Sequence, residues 1–144
     1  MEITIGGRKI PLFYSSYEMI AIQKDIGCTA YELREQVFGV VESEDGDWKK
    51  TRLECVTDGE KTEKLGKLIR ILGNAGLEEN GEAGDLTDKW VLRNIKPAMI
   101  MIYAMALMTV IHDGNALEEL AKEAEQGPVD EVLEEENAKK EPGK

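Results

Sequence analysis

The sequence predicts a small, mainly α domain of the α+β kind: about five helices, an N-terminal β-hairpin and an acidic C-terminal tail. Three observations predict it. An Ile-rich stretch is turned by Gly6-Gly7. A series of helix starts and stops follows, with Ser, Thr or Asp ahead of apolar residues at 3.6-residue spacing and Gly behind them. The charge is uneven: the 144 residues carry a net −11, and residues 115–144, with ten acids and four bases, hold −6 of it. The expected boundaries are a helical domain over 1–114, its hairpin over 1–13, and an acidic tail over 115–144, helical or disordered.

The hairpin is read from Ile3-Thr4-Ile5-Gly6-Gly7-Arg8-Lys9-Ile10-Pro11-Leu12. Gly-Gly supplies the positive φ angles of a two-residue turn. That turn sets Ile5 opposite Arg8 and Ile3 opposite Ile10, so Ile3, Ile5, Ile10 and Leu12 share one face. Pro11 cannot donate to a ladder, which marks an edge. A lone hairpin is barely stable, so its apolar face must rest on helices.

The first helix is expected from Ser16 to Ile26, started by Ser15-Ser16-Tyr17-Glu18 and stopped by Gly27. Its expected inner side is Met19, Ile22, Gln23 and Ile26. A second helix starts at the capping box Thr29-Ala30-Tyr31-Glu32 and carries Ala30, Leu33, Val37 and Val40 as its stripe. Residues 42–58 are polar and turn-rich, and Asp45-Gly46 could close a second hairpin that includes Trp48 and Leu53. A third helix is expected over 59–75, capped by Thr57-Asp58-Gly59-Glu60, with Leu65, Leu68, Ile69 and Leu72 inward. Glu60–Lys64 and Glu63–Lys67 are spaced as i,i+4 ion pairs. Gly66 and Gly73, a heptad apart, either admit a close neighbour or are tolerated defects.

Glu78 to Asp85 reads as a loop, and Thr87 as the cap of a short helix to Asn94. Pro97 suits the first turn of the next helix. That helix is the run from Ala98 to Ile111, AMIMIYAMALMTVI, which holds four of the six methionines and no charge. A helix apolar on every side must be covered on every side. The stripes of the first three helices could wrap it as a central core helix; alternatively the side bearing Met101, Met105 and Met108 stays open for a partner. Its 14 residues rise about 21 Å, short of a bilayer span. Beyond Gly114, a helix over 116–126 and a short acidic segment over 129–140 are expected.

The composition narrows function. The acidic balance argues against unaided nucleic-acid binding and against an anionic membrane surface. The N-terminus lacks the basic and apolar regions of a signal peptide, which suggests the cytoplasm. Cys28 and Cys55 make no metal-binding or redox spacing and read as small buried residues. His112, at the end of the apolar helix, reads as a surface or capping residue. No set of residues meets the requirements of a catalytic, cofactor or metal site. A non-catalytic, cofactor-free protein is the expectation.

The order of elements is distinctive. A Gly-Gly hairpin leads to a helix ending in Lys-Asp-Ile-Gly, and Thr-Ala-Tyr-Glu-Leu opens the next element. A middle helix ends in ILGNAGLEENGE, DLTDKWVLRNI opens a short helix, and an apolar helix ends at Asp-Gly before an acidic tail. Over residues 1 to about 114 this resembles the tail assembly chaperones of long-tailed bacteriophages and prophages. The Trp48 segment and the methionine content of the last helix stand apart from that pattern. The resemblance implies binding to the tape-measure protein, recruitment of tail-tube subunits, possible homo-oligomers, action in the host cytoplasm and absence from the mature virion. It also implies that Lys139-Lys140 could mark a ribosomal frameshift, which the codons there would decide. Two other readings are an acidic mimic that blocks a host nucleic-acid-binding protein and a minor structural tail protein.

Overall fold

A computed structural model of the chain describes residues 1–47 and 50–114. Met1–Ile111 form one compact unit, and His112–Lys144 fall in a second, of which the last helical turn, 112–114, is described. Trp48 and the helix and acidic segment expected over 116–140 lie outside the described residues.

The architecture is a small α+β fold, as the sequence predicts. Strands β1 (Glu2–Ile5) and β2 (Arg8–Pro11) pair antiparallel with Ile3 opposite Ile10 and Ile5 opposite Arg8. Gly6 and Gly7 supply φ of +57° and +79° at the turn. Ile3, Ile5, Ile10 and Leu12 are all buried. Antiparallel pairs alternate between bonded and non-bonded, and Ile5–Arg8 and Ile3–Ile10 are bonded. Pro11 therefore falls on a non-bonded pair and costs the ladder nothing; the amide of Leu12 resumes it by donating to the carbonyl of Met1 at 2.9 Å.

Helix α1 (Ser16–Asp25) starts where the Ser15 hydroxyl accepts from the amide of Tyr17. Its inner side differs from the expected one. Ile22 is buried and Met19 and Ile26 half-buried, but Gln23 faces solvent and Glu18 is buried instead. The Ser15 hydroxyl, 2.5 Å from the Glu18 carboxylate, supplies the partner that lets that acid turn inward.

The second helix is not a regular α-helix. Its capping box forms at Thr29, yet the chain makes a 3-10 turn over Ala30–Glu32 and then a π-helical turn over Arg34–Phe38. Leu33, Val37 and Phe38 are all buried. A π turn brings residues five apart into line, so Phe38 joins Leu33 on the inner side. The turn stops at Gly39, φ +61°, whose amide donates to the Arg34 carbonyl. Val40 thus leaves the expected helical stripe and enters β3 (Val40–Val41), which pairs with β4 (Arg52–Leu53). The second hairpin exists, with Gly46 at φ +75° in its connection.

Helix α2 (Gly59–Glu79) is the central element. The carboxylate of Asp58 accepts from the amides of Glu60 and Lys61 at its start. It runs four residues past the expected end at Ala75, and so takes up the start of the expected 78–85 loop. Its stop is a glycine at C′: Gly81, φ +79°, donates to the Glu78 carbonyl and Glu82 to the Leu77 carbonyl. Leu65, Leu68, Ile69, Leu72 and Leu77 are completely buried. α1, β2, the π turn, the Glu54–Val56 turn and helix α3 (Asp88–Asn94) all pack on it.

The α2 glycines explain how so much fits around one helix. A Cβ on Gly66 would lie 2.7 Å from Leu92 of α3; one on Gly73, 2.7 Å from Leu86 and 3.0 Å from Ile10. Both glycines are close-approach positions, the first of the two readings the sequence left open. The expected Glu60–Lys64 and Glu63–Lys67 pairs are not among the ion pairs of the described residues. Lys67 turns instead to Asp88 at 3.1 Å, which also receives Arg70 Nε at 2.5 Å. Arg70 reaches on to Asp25 at 3.3 Å, so α1, α2 and α3 meet at one charge cluster.

The last helix, α4 (residues 100–114), is entered through a 3-10 turn over Pro97–Met99. With that turn it spans Pro97–Gly114, 18 residues of mean hydropathy 1.3, which is longer than the 14-residue run and apolar enough to reach the lower limit of a membrane span. It is not covered on every side. Ile100, Tyr103, Ala104, Leu107 and Ile111 are buried, while Met101, Ile102 and Met105 are 40 %, 57 % and 57 % exposed. The core is centred on α2, and α4 contributes one face to it.

Candidate functional site: an open groove on the last helix

The exposed side of α4 does not stand alone. Met101, Met105 and Met108 fall at i, i+4 and i+7, one side of a helix. They line a groove of about 550 Å³ whose opposite wall is Val40 and Leu53 of the second hairpin. Leu53 is buried, and Val40 and Met108 are half-buried.

Local chemistry places each wall. Gly39 ends the π turn and its carbonyl accepts from the amide of Glu54 at 2.9 Å, which seats β3 and β4 together. Gly39 has no room for a side chain, since a Cβ there would lie 2.6 Å from Glu54 and 2.9 Å from Lys61. Beyond β3, the Ser43 carbonyl accepts from the amide of Gly46 at 3.1 Å. The Asp45 carboxylate accepts from Lys50 at 2.8 Å, from the Ser43 hydroxyl and from the amide of Asp47, and these bonds hold its pKa down to about 2.

The two charged residues that line the groove, Arg34 and Glu42, pair with each other. A groove with apolar walls and internally paired rim charges favours an apolar occupant over an ionic one. No family model, curated protein or solved structure matches the chain.

Sequence reasoning singled out Met101, Met105 and Met108, and the structure brings all three to one groove. It missed Val40, Leu53 and Arg34 as their neighbours, and Ile102 as a further exposed residue. The signal for the missed wall lay in Gly39 followed by the β-branched pair Val40-Val41, twelve residues before Arg52-Leu53 and with Asp45-Gly46 between them. The His112 side chain is 82 % exposed. Cys28 and Cys55 are free and buried, and burial pushes both thiols up from their ordinary pKa. Among the described residues no group of three His, Cys, Asp or Glu could hold a metal ion.

Proposed function

We propose that this protein is a non-catalytic assembly chaperone of the phage tail type, and that the α4 groove holds an apolar helical segment of a tape-measure protein. One observation carries the reading: Met101, Met105 and Met108 share an open groove with Val40 and Leu53 while the inward side of the same helix completes a core. Methionine side chains are unbranched and polarisable, and adapt to irregular apolar partners. A client helix would lay its own apolar stripe along that face. The acidic balance, −11 overall, keeps a loaded complex soluble. The element order supports the same reading through the family it resembles. Recruitment of tube subunits, action in the host cytoplasm and departure before the tail is finished belong to it.

The test is co-purification with tape-measure and tail-tube proteins from the same genome, for the wild-type chain and for Met101→Glu/Met105→Glu. The wild type should retain a tape-measure fragment and the folded variant should not. Mass spectrometry of finished particles should not find the protein. Failure to bind either partner, or presence in the particle, sinks the proposal.

A further inference from the structure

The four methionines of α4 and its entry turn are sorted by side. Met99, Met101 and Met105 are 38 %, 40 % and 57 % exposed, and Met108 is half-buried in the groove. The inward positions, Ile100, Tyr103, Ala104, Leu107 and Ile111, hold no sulfur. Chemistry at the Met101 and Met105 thioethers therefore reaches the groove without touching the core, whereas Met108 packs against it. The two other methionines give internal references: Met1 is 64 % exposed and Met19 half-buried, and neither lines the groove.

We propose that Met101 and Met105 are sites of reversible peroxide oxidation that switch the groove from apolar to polar. This rests on the groove being a binding surface. In the step, a sulfur lone pair attacks one oxygen of a hydroperoxide. The O–O bond breaks as the S–O bond forms, and the departing oxygen takes a proton and leaves as water or alcohol. Sulfur gives up two electrons and the peroxide accepts them. The sulfoxide is a strong dipole on an otherwise apolar helix face, so an apolar occupant would bury it at a cost. Thiol-dependent sulfoxide reductases reverse the change. Oxidation at Met99 accompanies it but lies outside the groove lining. The free thiols do not compete, because Cys28 and Cys55 are buried.

The experiment treats the full-length chain with hydrogen peroxide and follows three readouts: peptide mass spectrometry, far-UV circular dichroism and Nile red fluorescence as a probe of the groove. One oxygen should appear on Met101 and on Met105 ahead of Met19, with the dichroism unchanged. Nile red enhancement should be lost in step with that oxidation and return after treatment with methionine sulfoxide reductases. Met101→Leu/Met105→Leu should bind the dye and ignore peroxide; Met101→Glu/Met105→Glu should not bind it at all. The proposal is overturned by faster oxidation at Met19, by full dye binding with both sites oxidised, by equal peroxide sensitivity in the leucine variant, or by no dye binding to the untreated chain. A working dye switch without any tape-measure binding would leave the switch standing and remove the chaperone reading.

Discussion

The carbonyl oxygen of Pro11 lies over Gly76 so closely that a Cβ there would sit 1.9 Å from it. This contact seats the N-terminal hairpin on α2, and Gly is the only residue that permits it. Gly76→Ala should lower stability by about 2–3 kcal/mol in urea denaturation, because backbone cannot swing aside as a flexible side chain can. Helix propensity works the other way by about 1 kcal/mol and loses. Gly59→Ala is the control: nothing lies within 4 Å of its Cβ position, so stability should hold or rise slightly. Equal effects at the two sites would refute the close-contact explanation.

Asp88 sits between Arg70 and Lys67. Burial pushes its carboxyl up, but those two partners outweigh it and hold the group below the ordinary carboxylate range. A depressed acid stabilises the fold above its unfolded pKa, roughly 3.9, and loses that contribution as pH falls through the folded value. Asp88→Asn should cost about 1 kcal/mol at neutral pH, a modest figure because a side chain 35 % exposed is partly screened. The gap between wild type and variant should close as pH drops below about 4. A gap that persists at low pH would show that the charge is not what matters.

The Tyr103 hydroxyl donates to the Thr4 carbonyl at 2.9 Å. Thr4 and Lys9 form a non-bonded pair of the hairpin, so that carbonyl points out of the ladder toward the free edge of β1. Tyr103→Phe should cost about 1 kcal/mol and speed hydrogen exchange along β1, with the ring's packing retained. Unchanged exchange there would place the edge's protection elsewhere.

Cys28 and Cys55 are buried, and burial raises both pKa values, with Glu32 adding to the effect at Cys28. A group raised in this way stays a poorly nucleophilic thiol at neutral pH. Labelling by a maleimide should follow global unfolding across a urea series. Rapid labelling in the native protein would contradict the burial.

The two sides of α4 should respond differently to substitution. Met101→Glu/Met105→Glu changes exposed positions and should leave the unfolding free energy nearly unchanged, within about 0.5 kcal/mol per site. Leu107→Ala removes a fully buried side chain and should cost about 2–5 kcal/mol. Comparable losses would mean that the methionines are core after all.

Local signals carried most of the fold. The hairpin register, the caps at Ser15, Asp58 and Thr87, and the apolar stripe of α2 were readable because each depends on residues a few positions apart. The failures share another cause. The π turn over Arg34–Phe38 depends on drawing Phe38 inward, and the central place of α2 depends on what its glycines admit from α3 and the hairpin. Periodicity along one segment cannot report either. The groove was half legible: the methionine spacing named one wall, but the other comes from a hairpin whose pairing is tertiary. Lys67 likewise had an i,i+4 partner in sequence and a better one, Asp88, in space.

The bond from Tyr103 to Thr4 joins positions 99 residues apart, and it sets an order in time. The hairpin emerges during synthesis before α2 and α4, yet its apolar face waits for α2 and its outer edge for Tyr103. A two-stranded hairpin holds its shape poorly without such support. The N-terminal segment must therefore stay unfinished until nearly the whole domain has left the ribosome. A chain arrested short of Tyr103 would carry an unguarded strand edge, the feature that seeds pairing between nascent chains.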